Sequence, residues 1–131
     1  MNRMSKVQCR LVGLHSMHDQ RMHNMTTIDK GQKVLTLINV FSVAPEKQDE
    51  LVKVLVDATQ QTMKHLPGFV SANIHRSLDG KKVVNYAQWK SMADFEAMRK
   101  NPEAAPHMKS AAALAQFEPI LCEVSEAVSN N

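Results

Sequence analysis

At 131 residues, 44% of them apolar and 22% charged, the chain has material for one domain with a hydrophobic core of its own. No apolar run approaches the ~18 residues of a membrane span, and the N-terminus lacks the apolar run and small-residue cleavage site of a secretory signal. Cys9 and Cys122 are too few and too far apart for a disulfide framework or a thiolate zinc site, so a soluble, cytoplasmic protein without a bound metal is expected. The formal charge of +3 sits unevenly: residues 1–33 hold six basic and two acidic side chains, the rest ten basic and eleven acidic. No basic surface interleaved with aromatics remains in the body, which excludes nucleic acid as a partner.

Residues 1–33 lack sustained periodicity and read as a disordered leader, with Met25 a candidate native start. Within them His15 and His18 have the spacing of a metal pair, but no third ligand follows at a usable distance. Order is expected from Val34, where a β-branched, apolar run to Val43 has the pattern of a strand buried on both faces. Ala44-Pro45-Glu46 then opens a helix, with proline at the first helical position and acids in the first turn. Its inward stripe is Leu51, Val54, Leu55, Ala58 and Thr62, and Leu66-Pro67-Gly68 ends it.

Two strands follow, Phe69–Ser77 and Lys81–Lys90, joined through Leu78-Asp79-Gly80. A two-residue Asp79-Gly80 turn sets His75 opposite Val84. A three-residue loop with Gly80 in the left-handed conformation sets His75 opposite Val83, Asn73 opposite Asn85 and Phe69 opposite Trp89. The three-residue loop is preferred because it gathers the polar and aromatic side chains onto one face. Ser91-Met92-Ala93-Asp94 has the form of a capping box and starts a short helix through Arg99. Asn101-Pro102 interrupts, Glu103–Gln116 is a further helical piece, and Phe117–Ser125 is a last strand with Pro119 near its start.

The order β-α-β-β-α-β predicts an α+β, ferredoxin-like domain over residues 34–126, with 127–131 as a C-terminal tail. Helices on one side leave the other sheet face bare. Yet Val34, Ile38, Val40, Val70, Ile74 and Val84 fall on one alternating set while Leu35, Leu37, Phe41 and Val83 fall on the other. A bare apolar face of that size predicts an obligate homodimer with the sheets packed face to face.

Polar residues interrupt these apolar strands at Asn39 and Asn85, and a buried amide without a partner costs about 1–3 kcal/mol. Each therefore needs a backbone group, a water or a ligand. Trp89, the one tryptophan, is either core or the wall of a flat aromatic pocket. His75 is either a hydrogen-bonded core histidine or, beside a ligand, a proton carrier. Asn73 joins them on the preferred face. His107, after Pro106, has the setting of a surface histidine, and Tyr86 should point away from Asn85. No phosphate loop, dinucleotide fingerprint or two-His-one-carboxylate spacing is present, so nothing here asks for flavin, nicotinamide or metal.

The strings Leu66-Pro-Gly-Phe-Val-Ser-Ala-Asn-Ile-His75, Leu78-Asp-Gly80 and Val83-Val-Asn-Tyr-Ala-Gln-Trp89 resemble the antibiotic biosynthesis monooxygenase domain. Within it, they are most similar to the cofactor-independent, quinone-forming oxygenases of aromatic polyketide tailoring. The resemblance spans about residues 34–126. It implies a dimeric α/β barrel that uses O₂, and no cofactor, to oxidise a phenolic or anthrone-like substrate. By that likeness Asn85 and the Trp89 N–H hold an oxyanion, and His75 positions the ring or moves the proton. Asn39, Asn73, Phe95 and His107 then fall to substrate binding. Phe95 stands where the family has a pocket tyrosine, and a family arginine falls near Met108 or Lys109. A second branch of the superfamily degrades haem; its pocket asparagine matches Asn39 and its haem-ligating histidine matches His107, while its pocket tryptophan aligns with Met98. A non-catalytic dimeric binder of a small aromatic metabolite is the remaining alternative.

Overall fold

A computed structural model describes residues 25–130. Strand β1 (Leu35–Val43) leads through a 3₁₀ turn at Pro45–Lys47 into helix α1 (Gln48–Gln61). Strands β2 (Phe69–Arg76) and β3 (Lys82–Trp89) form a hairpin. Two helices, α2 (Met92–Arg99) and α3 (Ala105–Leu114), then lead to β4 (Ala115–Cys122). The sheet is antiparallel throughout in the order β2-β3-β1-β4, the ferredoxin-like topology that the pattern predicts. Among the described residues β2 and β4 each pair on one side only, so the sheet is open rather than closed into a barrel. Among the described residues no helix is long and apolar enough to cross a membrane.

Local chemistry fixes these elements. Pro45 pre-sets the backbone at the start of the 3₁₀ turn, and the acids Glu46, Asp49 and Glu50 sit where the helical N-terminus is positive. Gln48 is buried, and its Nε2 donates to the carbonyls of Ser77 at 3.1 Å and Lys82 at 2.9 Å. It thereby ties the start of α1 to the neck of the hairpin. At α2, Ser91 Oγ accepts from the Asp94 N–H at 3.1 Å and donates to the Asp94 carboxylate at 2.9 Å. The cap predicted from Ser91-x-x-Asp94 forms, with the carboxylate bonding the serine hydroxyl. The second long helical piece ends at Leu114, and β4 begins two residues earlier than the alternation suggests.

The hairpin departs from the expected three-residue loop. Four residues, Leu78 to Lys81, turn the chain, and the Ser77 N–H donates to the Lys82 carbonyl at 2.9 Å. Ser77 Oγ accepts from the Lys82 N–H at 2.8 Å and donates to Asp79 Oδ1 at 2.7 Å, while Asp79 Oδ1 also accepts from the Lys81 N–H at 3.0 Å. That Lys81 N–H, and next the Ser77 hydroxyl, hold the Asp79 carboxyl below the usual aspartate range. Gly80 takes φ +81° as foreseen. His75 consequently pairs with Val84, Asn73 with Tyr86 and Ile74 with Asn85.

A one-residue change of register moves every side chain of a strand to the other face. Ala72 and Ile74 therefore face the helices, and Ser71, Asn73 and His75 face away. Phe69 still pairs with Trp89 because a bulge at Val70 absorbs one residue. Ile74 packs in the core rather than on the bare face, and Val70 is exposed at the bulge.

Residues 25–33 also correct the expected order boundary at Val34. Thr26 Oγ1 donates to Asn73 Oδ1 at 2.9 Å, and the fully buried Gln88 donates through Nε2 to the Thr27 carbonyl at 2.8 Å. The segment thus lies along the β2–β3 half of the sheet face opposite the helices. The expected leader up to Asn24, with the His15–His18 pair, lies outside the described residues.

Candidate active site

Between the sheet and the three helices lies a cavity of about 150 Å³. Two apolar clusters bracket it: Leu37, Ala87, Trp89, Phe95, Met98 and Ala104 at one end, and Phe41, Val43, Leu51, Val83 and Ala111 at the other. On β1 the inward positions run Leu37, Asn39, Phe41, and on β3 they run Ala87, Asn85, Val83. Asn39 and Asn85 are direct cross-strand partners. Directly opposed side chains of an antiparallel pair lie about 4.5–5.5 Å apart at Cβ, so the two carboxamides form one polar rung across an apolar floor. Asn39 Oδ1 and Asn85 Oδ1 are both buried without a hydrogen-bond partner. Two adjacent acceptors of this kind, each costing about 1–3 kcal/mol if left unpaired, call for a partner from within the cavity, a water or a ligand.

The walls are aromatic and adaptable. Trp89, 2% exposed, meets the edge of Phe69 at 5.5 Å between ring centroids and an interplanar angle of 89°, the T-shaped geometry that suits ring quadrupoles. Phe95 closes the wall from α2, and Met63, Met98 and Met108 supply flexible thioethers. The open side is the edge strand β4, where Phe117 and Pro119 line the cavity; Phe117 is 45% exposed and meets Phe41 at 5.5 Å between centroids. From the helices come Thr59, whose Oγ1 donates to the Leu55 carbonyl at 2.9 Å, and two ionisable groups. His107 Nε2 lies 2.9 Å from Thr62 Oγ1, at the end of α1. Arg99 lies over the Phe95 ring at 6.0 Å and pairs with Glu96 at 3.0 Å.

Of the residues picked from the sequence, Asn39, Asn85, Trp89, Phe95 and His107 meet in this cavity. His75 and Asn73 do not. His75 is exposed on the opposite sheet face, and Asn73 there accepts from Thr26 and donates through Nδ2 to the Tyr86 carbonyl at 3.0 Å. The imidazole, carboxamide and indole therefore do not converge as the preferred hairpin requires; the four-residue loop separates the first from the other two. His107, given a surface setting by sequence, is the histidine that lines the cavity. Arg99 was missed. Its signal is its place on the Phe95–Met98–Arg99 stripe of α2, at i, i+3 and i+4.

The family model for antibiotic biosynthesis monooxygenase matches residues 34–114 of this chain. The chain belongs to that family. It is 50% identical over 101 residues to tetracenomycin-F1 monooxygenase of Streptomyces glaucescens, covering 77% of this chain and 90% of that protein. Among solved structures, the monooxygenase from the ActVA-Orf6 gene of Streptomyces coelicolor, in complex with nanaomycin D, superposes with a TM-score of 0.68 at 27% identity. That match covers 74% of this chain and 92% of the other. A mutant of SnoaB, a cofactor-independent oxygenase from Streptomyces nogalater, superposes with a TM-score of 0.66 at 25% identity, over 74% of this chain and 98% of the other. The matched span runs from β1 through α3, the part of the chain that builds the floor and roof of the cavity.

Proposed function

We propose that this chain is a monooxygenase that oxidises a phenolic, anthrone-like polycyclic substrate to a quinone with O₂, without a resident cofactor. The observation that carries the reading is the Asn39–Asn85 rung, two orphaned carboxamides on the floor of an aromatic-walled cavity. A flat ring system suits walls made by Trp89 and Phe95. A carboxamide offers both a donor and an acceptor, so the rung can take a phenolic hydroxyl and the oxyanion it becomes. Overall, the ring methylene exchanges two hydrogens for one oxygen atom, and the second oxygen atom leaves as water. The substrate's own conjugation supplies the electrons for O₂. The protein's share is orientation and stabilisation of the anion by preorganised donors. The likeness to an oxygenase described as cofactor-independent and to a monooxygenase named for tetracenomycin F1 supports this reading. Oxygen uptake by metal-stripped protein with an anthrone should exceed the buffer rate and give the quinone by mass analysis. No uptake above that rate across a panel of anthrones and hydroquinones sinks the reading.

The protein acts, in this reading, as a cytoplasmic homodimer. The sheet face away from the helices carries Ile38, Val40, Val84 and Tyr86 half-buried, with Ile120 at 42% exposure beside them. Residues 26–27 bond to this face at Asn73 and Gln88. A second copy on the remainder buries this patch and turns two open sheets into one dimeric barrel. Light scattering should return twice the chain mass of 14.7 kDa, and Val84→Lys should return the single-chain mass. Wild-type protein running as a monomer at micromolar concentration would refute the dimer.

A further inference from the structure

Removing a proton from carbon or phenol requires a base, and the cavity offers one. Of the side chains lining it, only His107 and Arg99 are ionisable among the described residues. α1 and the turn after it contribute Leu55, Ala58, Thr59 and Met63; β1 and β3 contribute the two asparagines; β4 contributes Phe117 and Pro119. Arg99 carries no acceptor and keeps its proton, and its charge is paired with Glu96. An imidazole takes up and returns a proton near neutral pH, and the bond made by one ring nitrogen fixes the role of the other. The Thr62 Oγ1 contact at 2.9 Å engages Nε2.

We infer that His107, oriented by Thr62, is the general base of the oxidation, a proton-moving role that the family resemblance offers to His75. The inference rests on the oxygenase reading above. Thr62 Oγ1 accepts from Nε2–H, which leaves the Nδ1 lone pair to take a proton from the substrate methylene. The bonding pair stays on the substrate as a carbanion, with its charge delocalised to the ring oxygen. O₂ takes one electron from this anion, and the two radicals combine to form the C–O bond of a peroxide anion. The imidazolium returns its proton to that anion. Loss of the second C–H proton, again to the imidazole, then breaks the O–O bond. Hydroxide leaves, collects the imidazolium proton and departs as water.

Mixing the full chain with an anthrone under argon isolates the first step. Wild-type protein and His65→Gln, a change on an exposed histidine outside the cavity, should develop the absorption of the anthrone anion. His107→Gln should not. In air, His107→Gln should lose about 10²-fold or more in kcat, and the acid limb of its kcat–pH profile should flatten. Thr62→Val should lose less and shift that limb. Anion formation by His107→Gln, with kcat within about threefold of wild type and an unchanged acid limb, overturns the assignment. Should that variant not fold, an unshifted acid limb in Thr62→Val overturns it equally. Turnover by wild type with an unaffected His107→Gln removes this assignment alone, whereas wild type without turnover removes the oxygenase reading and the assignment with it.

Discussion

Replacing Asn85 with leucine should lower kcat for anthrone oxidation by about 10²–10³-fold, the usual cost of deleting one preorganised oxyanion donor, and should leave Tm unchanged or raised. The two signs come from the two ends of one amide, the N–H donor lost to the oxyanion and an oxygen that the fold leaves unpaired. Asn85 Oδ1 is buried and unpartnered in the free protein, so the folded state carries its desolvation without return. Leucine has nearly the same shape and nothing to satisfy, and its neighbours across the sheet and along β3 are Ile74, Ala87 and Val83. An amide that serves only the fold would behave the other way, with Tm falling and kcat unmoved. Steady-state oxygen uptake beside thermal unfolding separates the cases, and a variant that turns over within about threefold of wild type ends the claim. Asn39→Leu should move both quantities in the same directions, because the two side chains are direct partners across β1 and β3.

How legible the site was from sequence turns on β2. The element order and the helix cap at Ser91 were readable, because each rests on local chemistry: hydrophobic period and a serine three residues before an acid. The register of one hairpin was not, because Asp79-Gly80 is compatible with loops of two, three or four residues. Side chain to backbone bonds from Ser77 and Asp79 decide for four. A signal was nevertheless present. Ala72 and Ile74 alternate with Ser71, Asn73 and His75, and that period-two pattern already sends the apolar pair to the core and the histidine to solvent. What defeats a simple extension to Phe69 is the bulge at Val70, which leaves no mark in composition. Arg99 was obscured differently, and His107 was reached only through the family resemblance. Each sits at the edge of a helix stripe, where sequence assigns solvent, and only the gap between α1, α2 and α3 makes those edges into cavity wall.

Gly68→Ala should destabilise the fold by about 2–5 kcal/mol, from left-handed backbone strain of about 1–2 together with overpacking of about 1–3. Gly68 holds φ +83°, and a Cβ added there would lie 2.2–2.4 Å from the Asp94 side chain. That contact cannot relax freely, because the Asp94 carboxylate is held by the Ser91 hydroxyl that caps α2. The Gly68 carbonyl accepts from the Lys90 N–H at 2.7 Å, next to Trp89 and Phe69, so displacement at this turn reaches the aromatic wall directly. The substitution should therefore lower the urea midpoint and, in the fraction still folded, weaken substrate binding more than it slows chemistry. Adding Asp94→Gly removes the atoms in conflict, which should restore the overpacking part and leave the backbone strain and the loss of the Ser91 hydroxyl–carboxylate bond, while the capping bond from the residue 94 N–H to Ser91 Oγ stays. Equal midpoints for Gly68→Ala and wild type would mean that the turn, and the placement of Trp89 with it, is set by something other than this glycine.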